Sequence, residues 1–349
     1  MIFDVIIAGG GPGGSICAAR LAQLGRRVLV LEKVHFPRFH LGESLLPQSM
    51  PILESIGVLG EMRERFLLKR GATFHQSVTG KAVRYDFSEA FDKSITFAFE
   101  VPRDEFDHLL LRRAAALGAE IREGWTVSRI IFDEGRAVGV EARDPQGTTH
   151  VLSAHFVVDA TGRDALQAHA TRSTIKVPHL DKTALFTHFR GTYRDSGDRE
   201  GDIQLVLCPA GWFWFIPFKD GRTSVGAVVS SAWLKTRTPG ETLDDLYRRA
   251  VAGSDVATRM LAGAEQLFPA GATADFSFRV QNLAGHGWLA VGDAGGFIDP
   301  LFSTGAHLAI YGGFHGAEAI DASLATGTTR PEHFASWERV VRRGAELFL

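Results

Sequence analysis

The residues best suited to chemistry form a glycine-rich run near the amino end, which reads Gly9, Gly10, Gly11, Pro12, Gly13 and Gly14. A short apolar run precedes it and a segment with helical spacing follows it, so we predict a strand, a tight loop and a helix. Gly9 permits the turn, Gly11 lets a diphosphate approach the backbone, and Gly14 lets the helix pack against the strand. The free N–H groups at the start of the helix would then bind the phosphates of a dinucleotide.

Acidic residues follow three of the predicted strands, where such a ligand would lie. Glu32 ends the second strand and follows Gly9 by 23 positions, the spacing of an acid that accepts hydrogen bonds from a ribose. Asp159 and Asp293 lie near the carboxyl ends of two further apolar runs. Because ligands of doubly wound parallel sheets bind at those ends, these acids are candidate binding residues.

A tryptophan-rich stretch in the second half of the chain is predicted to be a strand that is covered on both sides. Side chains alternate along a strand, so two sets face opposite ways. One set is Trp212, Trp214 and Ile216, and the other is Phe213 and Phe215. Pro217 has no N–H group, and we expect it to end the hydrogen-bonded ladder. Taken alone, such a strand is ordinary aromatic core.

Composition and charge indicate a globular protein and argue against several classes of site. The 349 residues are 45% hydrophobic and carry a formal charge of −2 without long runs of one sign, so no nucleic acid or membrane partner is expected. The two cysteines, Cys17 and Cys208, show no metal-ligand spacing, and no metal site is expected. Without a visible signal peptide or membrane span, we expect a cytoplasmic location.

The segments between these motifs differ in strand length and in aromatic content. A helix is predicted from Pro102 to just before Gly118, and residues 120–152 alternate short strands with turns, as in an antiparallel insertion. Residues 165–282 contain longer aromatic strands, a hairpin turn at Asp220 and Gly221, and a helix near its middle. A central sheet flanked by that helix would form a second domain.

The order of these motifs resembles the superfamily of FAD-dependent monooxygenases and reductases along nearly the whole chain. The resemblance implies an α/β fold with a Rossmann-type FAD-binding domain of the glutathione-reductase and hydroxylase kind, and an interwoven substrate domain with an antiparallel sheet. Residues 1–165 and 283–349 would form the discontinuous FAD-binding domain, and residues 166–282 the substrate domain. No second glycine fingerprint follows an apolar strand, so no NAD(P)H-binding domain is expected.

The same resemblance implies which residues contact FAD. Asp293 would lie near the ribityl chain or the diphosphate, and Arg103 near the adenine side. The full set of expected cofactor contacts is Gly9, Gly11, Pro12, Gly13, Gly14, Glu32, Lys33, Arg38, Ser44, Arg103, Asp159, Gly292, Asp293, Pro300 and Gly305.

Four stretches make the resemblance more specific and are similar to those of flavin-dependent halogenases. They are residues 36–47 with Gly-Glu-Ser, residues 68–74 with Lys69, the Trp-x-Trp-x-Ile-Pro stretch, and residues 297–305 ending in Ser-Thr-Gly. The last two are rarely found together outside that family. Each motif is a hypothesis that the structural context has to support.

The family resemblance implies that FAD, reduced by a separate flavin reductase, reacts with O2 to a C4a-hydroperoxide that oxidises chloride or bromide. Ser303, Thr304 and Gly305 would bind the halide, because backbone N–H groups and the positive end of a helix favour an anion. Lys69 would be the catalytic residue, which holds the hypohalous acid or becomes a haloamine. A wall between flavin and substrate would consist of Trp212, Trp214, Ile216 and Pro217.

One departure from the family pattern bears on the substrate. Tryptophan halogenases have a glutamate before Ser-Thr-Gly, where this chain has Phe302, and an apolar side chain can neither orient Lys69 nor act as a base. The pattern instead resembles the group that acts on phenols or pyrroles, often tethered to a carrier protein. Conceivable bases, none of which the sequence singles out, are His75, His188, His307 and Glu43.

The chain ends in a helical pattern at residues 343–349, where family members usually continue with a segment that covers the substrate pocket, so we expect a short or absent lid. Three alternatives share the FAD core: a reductase of the geranylgeranyl-reductase type, an aromatic monooxygenase, and a flavin-binding protein without enzymatic activity. The reductases have no need of Lys69, and a hydroxylase needs its substrate close to the flavin. Halide-dependent turnover separates all of them.

Overall fold

The computed structural model describes residues 2–177, 182–274, 277–297 and 300–347. The strands in these ranges are, in chain order, β1 (Ile2–Ala8), β2 (Val28–Glu32), β3 (Leu67–Lys69), β4 (Gly71–Gln76), β5 (Ala82–Asp86), β6 (Ala98–Glu100), β7 (Glu120–Glu123), β8 (Thr126–Asp133), β9 (Arg136–Arg143), β10 (Thr149–Asp159), β11 (Thr174–Lys176), β12 (Lys182–Arg190), β13 (Ile203–Cys208), β14 (Gly211–Pro217), β15 (Arg222–Ser230), β16 (Glu265–Gln266), β17 (Gly271–Ala274), β18 (Phe278–Val280), β19 (Ala284–Gly285), β20 (Trp288–Ala290) and β21 (Gly296–Phe297). The helices are α1 (Pro12–Gln23), α2 (Met50–Ser55), α3 (Leu59–Arg65), α4 (Arg103–Ala116), α5 (Leu166–Ala170), α6 (Ser231–Leu234), α7 (Leu243–Ala252), α8 (Asp255–Met260), α9 (Thr304–Ala325) and α10 (Ala335–Glu346).

A largely parallel sheet joins the two ends of the chain. Its strands follow the order β19-β20-β10-β1-β2-β7. The central strand β1 is parallel to both neighbours, with Ile7 opposite Val30 and Val158. Its residues from Val5 to Ala8 are buried on both faces, which explains the unbroken apolar run in the sequence. The predicted Rossmann-type α/β architecture is confirmed.

Glycines let α1 approach both the sheet and α9. Gly9 has φ +108°, and a Cβ there would lie 2.2 Å from the carbonyl oxygen of Ala160. A Cβ at Gly14 would lie 2.0 Å from the Gly9 oxygen, and one at Gly313 would lie 2.3 Å from the Gly13 oxygen. The tight turn and the close helix packing predicted for this loop are therefore present.

Two smaller predictions on this side of the molecule also hold. The first part of β10 pairs antiparallel with β9, and β9 with β8, which forms most of the insertion expected within residues 120–152. The beginning of that range departs from the prediction, because β7 runs parallel to β2 at the edge of the main sheet. Pro102 is the N-cap residue of α4, and Gly118, with φ +110°, follows the end of the helix. Glycine tolerates this left-handed conformation, so the chain can reverse there.

A second sheet has the order β16-β12-β15-β14-β13-β4-β5, with β17 also paired to β12. Its neighbours are antiparallel except β13 and β4, which run parallel with Ile203 opposite Ala72. Strands β4 and β5 come from residues 71–86, which lie within the range predicted for the FAD-binding domain, yet they pair with the sheet formed mainly by residues 166–282. The local sequence pattern could not predict this pairing, because it joins segments that are far apart in the chain.

The tryptophan strand β14 lies inside this sheet and separates two cores, as predicted. Phe213 and Phe215 belong to the core that also contains residues of α7 and α8. Trp212, Trp214 and Ile216 belong to the core on the opposite face. Burial of a large apolar side chain contributes about 1.5–3 kcal/mol, so both cores hold the strand in its register.

The prediction that Pro217 ends the ladder is confirmed. Pro217 is the last residue of β14, and its pairing with Thr223 of β15 is the last of the ladder between the two strands. Pairing with β13 stops at Phe215, so the missing N–H of Pro217 leaves no bond unmade on that side. The predicted hairpin turn at Asp220 and Gly221 is confirmed, and Gly221 has φ +89°.

None of the helices within the described ranges is long and apolar enough to cross a bilayer. Across the same ranges, no three His, Cys, Asp or Glu side chains converge in a way that could hold a metal ion.

Candidate functional site

The glycine loop and Arg38 together provide donors for an anion at the start of α1. The N-cap residue Gly11 makes no side-chain capping bond, and the first turn carries no acidic residue. A Cβ at Gly11 would lie 3.4 Å from Nη2 of Arg38, which also lies 3.3 Å from Asp107. Nη1 of Arg38 is buried and has no hydrogen-bond partner among the described residues. The free helix N–H groups and this unused guanidinium donor fit the diphosphate of FAD.

Glu32 lies beside the glycine loop, as the sequence predicts. It is 5% exposed and accepts hydrogen bonds from the backbone N–H groups of Gly10, at 2.7 Å, and Val34, at 3.0 Å. A carboxylate has further lone pairs that could accept from ribose hydroxyls. Lys33 points to the surface, where it pairs with Asp164.

Arg103 connects the Gly-Glu-Ser segment with α4. Its Nε and Nη2 donate to the two oxygens of Asp107 at 2.7 and 2.9 Å, and its Nη1 donates to the carbonyl of Leu41 at 2.5 Å. Burial raises the pKa of Asp293 to about 6, and the positive charge of Arg103 opposes this rise. Asp293 follows Gly292, whose φ is +61°, in the turn after β20. The arginine thus interacts with groups from three parts of the first domain.

Both carboxylate oxygens of Asp159 accept hydrogen bonds from the segment that follows β10. Its Oδ1 accepts from the N–H and the hydroxyl of Thr161, and its Oδ2 accepts from the N–H of Gln167 at 2.8 Å. The residue is fully buried. We therefore assign Asp159 to holding the loop after β10, on which Gly9 packs through Ala160.

The predicted halide residues form the start of α9. Ser303 is the N-cap residue, with φ +57° and no side-chain capping bond. Thr304 is 2% exposed, and a Cβ at Gly305 would lie 3.2 Å from the ring of Phe297. No acidic residue lies in the first turn of this 22-residue helix. Free N–H groups and the positive end of the helix dipole make this a suitable place for an anion.

An aromatic surface adjoins the start of α9. Phe302 is 47% exposed, and its ring centroid lies 6.4 Å from that of Phe74. Phe74 in turn contacts Tyr85, which is 61% exposed, edge to face at 5.6 Å. Residues 298 and 299 and the side chain of Pro300, which belong to the predicted motif, lie outside the part of the chain that the structure describes.

Trp212 and Trp214 form one apolar surface with Ile216. The two indole centroids lie 5.9 Å apart, and both residues are buried. Nε1 of Trp214 donates to the hydroxyl of Ser224 at 3.1 Å. Nε1 of Trp212 is buried without a hydrogen-bond partner in the described ranges. The side chains predicted to form the wall thus pack together on one face of the second sheet.

A buried hydrogen-bonded chain links this surface to the Gly-Glu-Ser segment. Ser224 donates to Oε2 of Glu43 at 2.6 Å, and Oε1 of Glu43 lies 3.2 Å from Nε2 of His188. Nδ1 of His188 is buried and, among the described residues, has no partner. Two of the conceivable bases therefore occupy one network, which the sequence did not reveal.

The other two conceivable bases lie elsewhere. Nε2 of His75 is 2.9 Å from Oε1 of Gln204 in the second sheet. Nδ1 of His307 is 3.0 Å from the hydroxyl of Ser49, and burial lowers the pKa of His307 to about 4. Each of the two thus has a separate polar partner.

Lys69 lies in an enclosed polar cluster. It is 1% exposed, and its Nζ donates to the hydroxyl of Ser44 at 2.7 Å and to the carbonyl of Leu45 at 3.1 Å. Ser44 donates onward to Oε1 of Glu100 at 3.1 Å, and Nζ lies 3.9 Å from the same oxygen. Burial lowers the pKa of Lys69, and burial raises the pKa of Glu100 to about 8.

Two features of this cluster were not predicted from the sequence. The hydroxyl of Ser44, a predicted FAD contact, lies between Lys69 and Glu100. Glu100 was not singled out at all, although an acid directly after Ala98 and Phe99 in an apolar strand was a usable signal. Acidic residues are rarely buried completely unless they have a partner.

Several proteins of similar sequence are named as halogenases. A family model described as tryptophan halogenase matches residues 4–92 and 78–348. Tryptophan 2-halogenase of Chondromyces crocatus is 32% identical over 330 residues, which cover 92% of this chain and 61% of that protein. The 1H-pyrrole-2-carbonyl-(peptidyl-carrier protein) chlorinase of Pseudomonas fluorescens is 29% identical over 368 residues, which cover 98% and 81% of the two chains.

A solved structure of similar fold comes from the same class. The myxobacterial chondrochloren halogenase CndH, a variant of FAD-dependent halogenases, matches with a TM-score of 0.90 and 34% identity, over 98% of this chain and 79% of that one. The chain spans 61% of the length of the Chondromyces relative.

Proposed function

This chain belongs to the flavin-dependent halogenase family, and we propose that it chlorinates or brominates an electron-rich aromatic ring such as a phenol or a pyrrole. The observation that carries the proposal is the buried amine of Lys69, which Ser44 and Leu45 hold in place. A lysine is seldom buried completely, and desolvation lets its amine lose a proton more readily. A reductase of prenyl double bonds would have no use for such an amine.

The carboxyl ends of the first sheet fit FAD. The glycine loop and Arg38 would hold the diphosphate, Glu32 a ribose, and Arg103 with Asp293 a further polar part of the molecule. Reduced FAD, when bound, supplies together with O2 the oxidising equivalents that convert chloride or bromide to hypohalous acid. We expect a separate flavin reductase to provide the reduced form, because the sequence has no second dinucleotide fingerprint.

The start of α9 would bind the halide. The backbone N–H groups of Thr304 and Gly305 are in the first turn, where no side chain caps them. A monovalent anion there gains from the helix dipole by about 0.3–1 kcal/mol near the surface. The neighbouring Ser303 would shape the turn through its left-handed backbone.

Lys69 would hold the hypohalous acid by a hydrogen bond or accept its halogen as a haloamine. Because Lys69 is enclosed, only a small oxidant could reach Nζ without displacement of neighbouring side chains. The Trp212 and Trp214 surface would keep the aromatic substrate away from the flavin. Direct transfer of hydroxyl to the substrate would then be prevented by distance.

The aromatic surface of Phe74, Tyr85 and Phe302 supports an aromatic substrate near α9. Exposed aromatic rings contribute apolar area and favour stacked or edge-on contact with a ring. Phe302 offers no carboxylate, so a ring that is already electron-rich fits better than an indole that needs a base. Since the related chlorinase of Pseudomonas fluorescens is named for a carrier-bound pyrrole, a carrier protein is a candidate partner here.

Mass spectrometry of products tests the proposal. Phenols and pyrroles, free and carrier-bound, would be incubated with the full chain, FAD, a flavin reductase, NADH, O2 and chloride or bromide. We expect a halogen isotope pattern with the wild type and with Lys81→Ala, an exposed-lysine control, but not with Lys69→Ala. A hydroxylated or reduced product that forms without halide in all three proteins would refute the halogenase function.

A further inference from the structure

Ser44 and Glu100 form a path by which Lys69 can lose a proton. Resting on the proposed halogenase function, we propose that Glu100 is a positioning residue that takes the proton of Lys69 through the Ser44 hydroxyl and so prepares the amine to accept halogen. The path consists of two hydrogen bonds, 2.7 Å from Nζ to Oγ of Ser44 and 3.1 Å from Oγ to Oε1 of Glu100. Both distances are those of ordinary hydrogen bonds, along which a proton can move.

Backbone pairing holds the three side chains in place. Lys69 pairs with Ala98 in the ladder of β3 and β6, and Ser44 forms a bridge with Glu100 at the other end of β6. The N–H of Leu45 donates to the carbonyl of Phe99 at 3.0 Å. Lys69 and Glu100 therefore lie on two paired strands, and Ser44 is joined to β6 by a backbone bridge on one side and by the bond of its neighbour Leu45 on the other.

One oxygen of Glu100 remains without a partner. Oε2 is buried, and no group in the described ranges donates to it. A buried carboxylate oxygen without a donor is costly, whereas a neutral carboxyl group loses much less on leaving water. The surroundings therefore favour a Glu100 that holds a proton, which is the state the proposed path produces.

Other charged groups around the cluster determine how strongly it retains that proton. The negative charge of Asp202, which is 1% exposed, raises the pKa of both Lys69 and Glu100. Arg84 offsets this charge, because its Nε donates a hydrogen bond of 2.6 Å to Oδ2 of Asp202. The negative charge of Glu43 also raises the pKa of Glu100. Glu43 is itself hydrogen-bonded to Ser224 and His188. Lys69 and Glu100 thus form the remaining pair, joined through the hydroxyl of Ser44.

The proposed steps balance. The ammonium of Lys69 gives a proton to Oγ of Ser44 while Ser44 gives its own proton to Glu100, which leaves a neutral amine and a neutral carboxyl group. The amine lone pair then attacks the halogen of the hypohalous acid, the bond between halogen and oxygen breaks, and the hydroxide takes a proton from the amine nitrogen. The products are a haloamine and water. No further oxidant is needed, since the hypohalous acid is the halogen donor.

Titration of Lys69 by NMR tests the pair without any turnover. The full chain would carry ¹³C in the lysine ε positions, with Lys69→Arg used to assign the Lys69 signal. We expect the wild-type signal to respond to two protonation steps. Glu100→Gln should show a single step at lower pH, because the attraction of the carboxylate for the ammonium is lost. Identical curves in both proteins would overturn the proposal.

The halogenation rate provides the second measurement. In Glu100→Gln the amine of Lys69 loses its proton at lower pH and directly to solvent, so the halogenation rate should become independent of pH at a lower pH than in the wild type, in step with the NMR titration. Glu100→Asp should restore part of the wild-type pH profile, and Glu89→Gln, at an exposed glutamate, should leave the profile unchanged. The same pH profile for Glu100→Gln and the wild type would contradict a role in proton transfer.

A second variant covers the case in which Glu100→Gln does not fold. Ser44→Ala interrupts the path but keeps both charges, so it should slow halogenation while the two-step titration of Lys69 persists. An unchanged rate in Ser44→Ala would overturn the proposed path. If the wild type forms no halogenated product, the proposed function fails, and the NMR titration still decides whether Lys69 and Glu100 share a proton.

Discussion

The indole of Trp214 lies directly over Gly226, its cross-strand partner on β15. A Cβ at Gly226 would lie 2.1 Å from Cζ2 of the indole, closer than any real contact allows. The ring can therefore occupy its place only because residue 226 has no side chain. The tryptophan surface thus depends on a glycine of the neighbouring strand as much as on the tryptophans themselves.

Gly226→Ala should displace Trp214 and break its bond to Ser224. Overpacking of a core costs about 1–3 kcal/mol, so the melting temperature should fall by several degrees. The yield of halogenated product per NADH consumed should fall as well. Calorimetry and product analysis would measure both effects. Gly60→Ala is the matched control, since a Cβ at Gly60 in α3 has nothing within 4 Å. An unchanged melting temperature for Gly226→Ala would contradict the packing argument.

Arg38→Ala should weaken the binding of FAD. The variant removes the guanidinium whose Nη1 has no protein partner in the described ranges, and with it a charged hydrogen bond to the diphosphate. Such a bond contributes about 1.5–3 kcal/mol, so Kd should rise roughly 10- to 100-fold. Quenching of flavin fluorescence during titration of the apoprotein measures this. Arg38→Lys should be intermediate, and Arg199→Ala, at an exposed arginine, should bind like the wild type. Wild-type affinity in Arg38→Ala would mean that the glycine loop alone holds the diphosphate.

His307→Gln should make the fold less sensitive to acid. Burial lowers the pKa of His307 from 6.5 to about 4, so the neutral ring stabilises the fold above pH 6.5 and this contribution is lost as the pH falls towards 4. Between about pH 7 and about pH 5 the loss amounts to about 1–2 kcal/mol, which the variant should remove. Glutamine can keep the hydrogen bond to Ser49.

Urea unfolding at several pH values measures this effect. The remaining acid sensitivity should come in part from His40, whose pKa burial also lowers to about 4. His333→Gln, at an exposed histidine, serves as the control and should follow the wild-type curve. Parallel curves for His307→Gln and the wild type would show that His307 is accessible to protons in the folded protein.

Several parts of the fold could be predicted because they depend on local geometry. The alternation of Trp212, Phe213 and Trp214 separated two core faces correctly, since a strand has a period of two whatever surrounds it. Gly9 and Gly14 were placed correctly because a tight turn and a close helix approach leave no room for a side chain. The same local reasoning held at Pro217, where a residue without an N–H group ends β14.

Other parts depend on which distant segments meet. The hairpin of β4 and β5 joins the second sheet through β13, and no local pattern in residues 71–86 indicates this partner. Glu43, His188 and Ser224 come from three separate stretches and meet only in the folded chain. The cofactor contacts, the halide residues and the roles of reductase and carrier protein stay predictions from the family resemblance.

By itself, the sequence determined the strand, loop and helix of the dinucleotide motif, the faces of the tryptophan strand and the family to which the chain is similar. Backbone conformation and side-chain period are local properties, so residues close in the chain suffice to specify them. Only the tertiary structure decided that Ser44 lies between Lys69 and Glu100 and that all three are removed from water. Burial and the choice of a charged partner depend on strands that meet across the chain, and it is burial that changes the proton affinity of the amine.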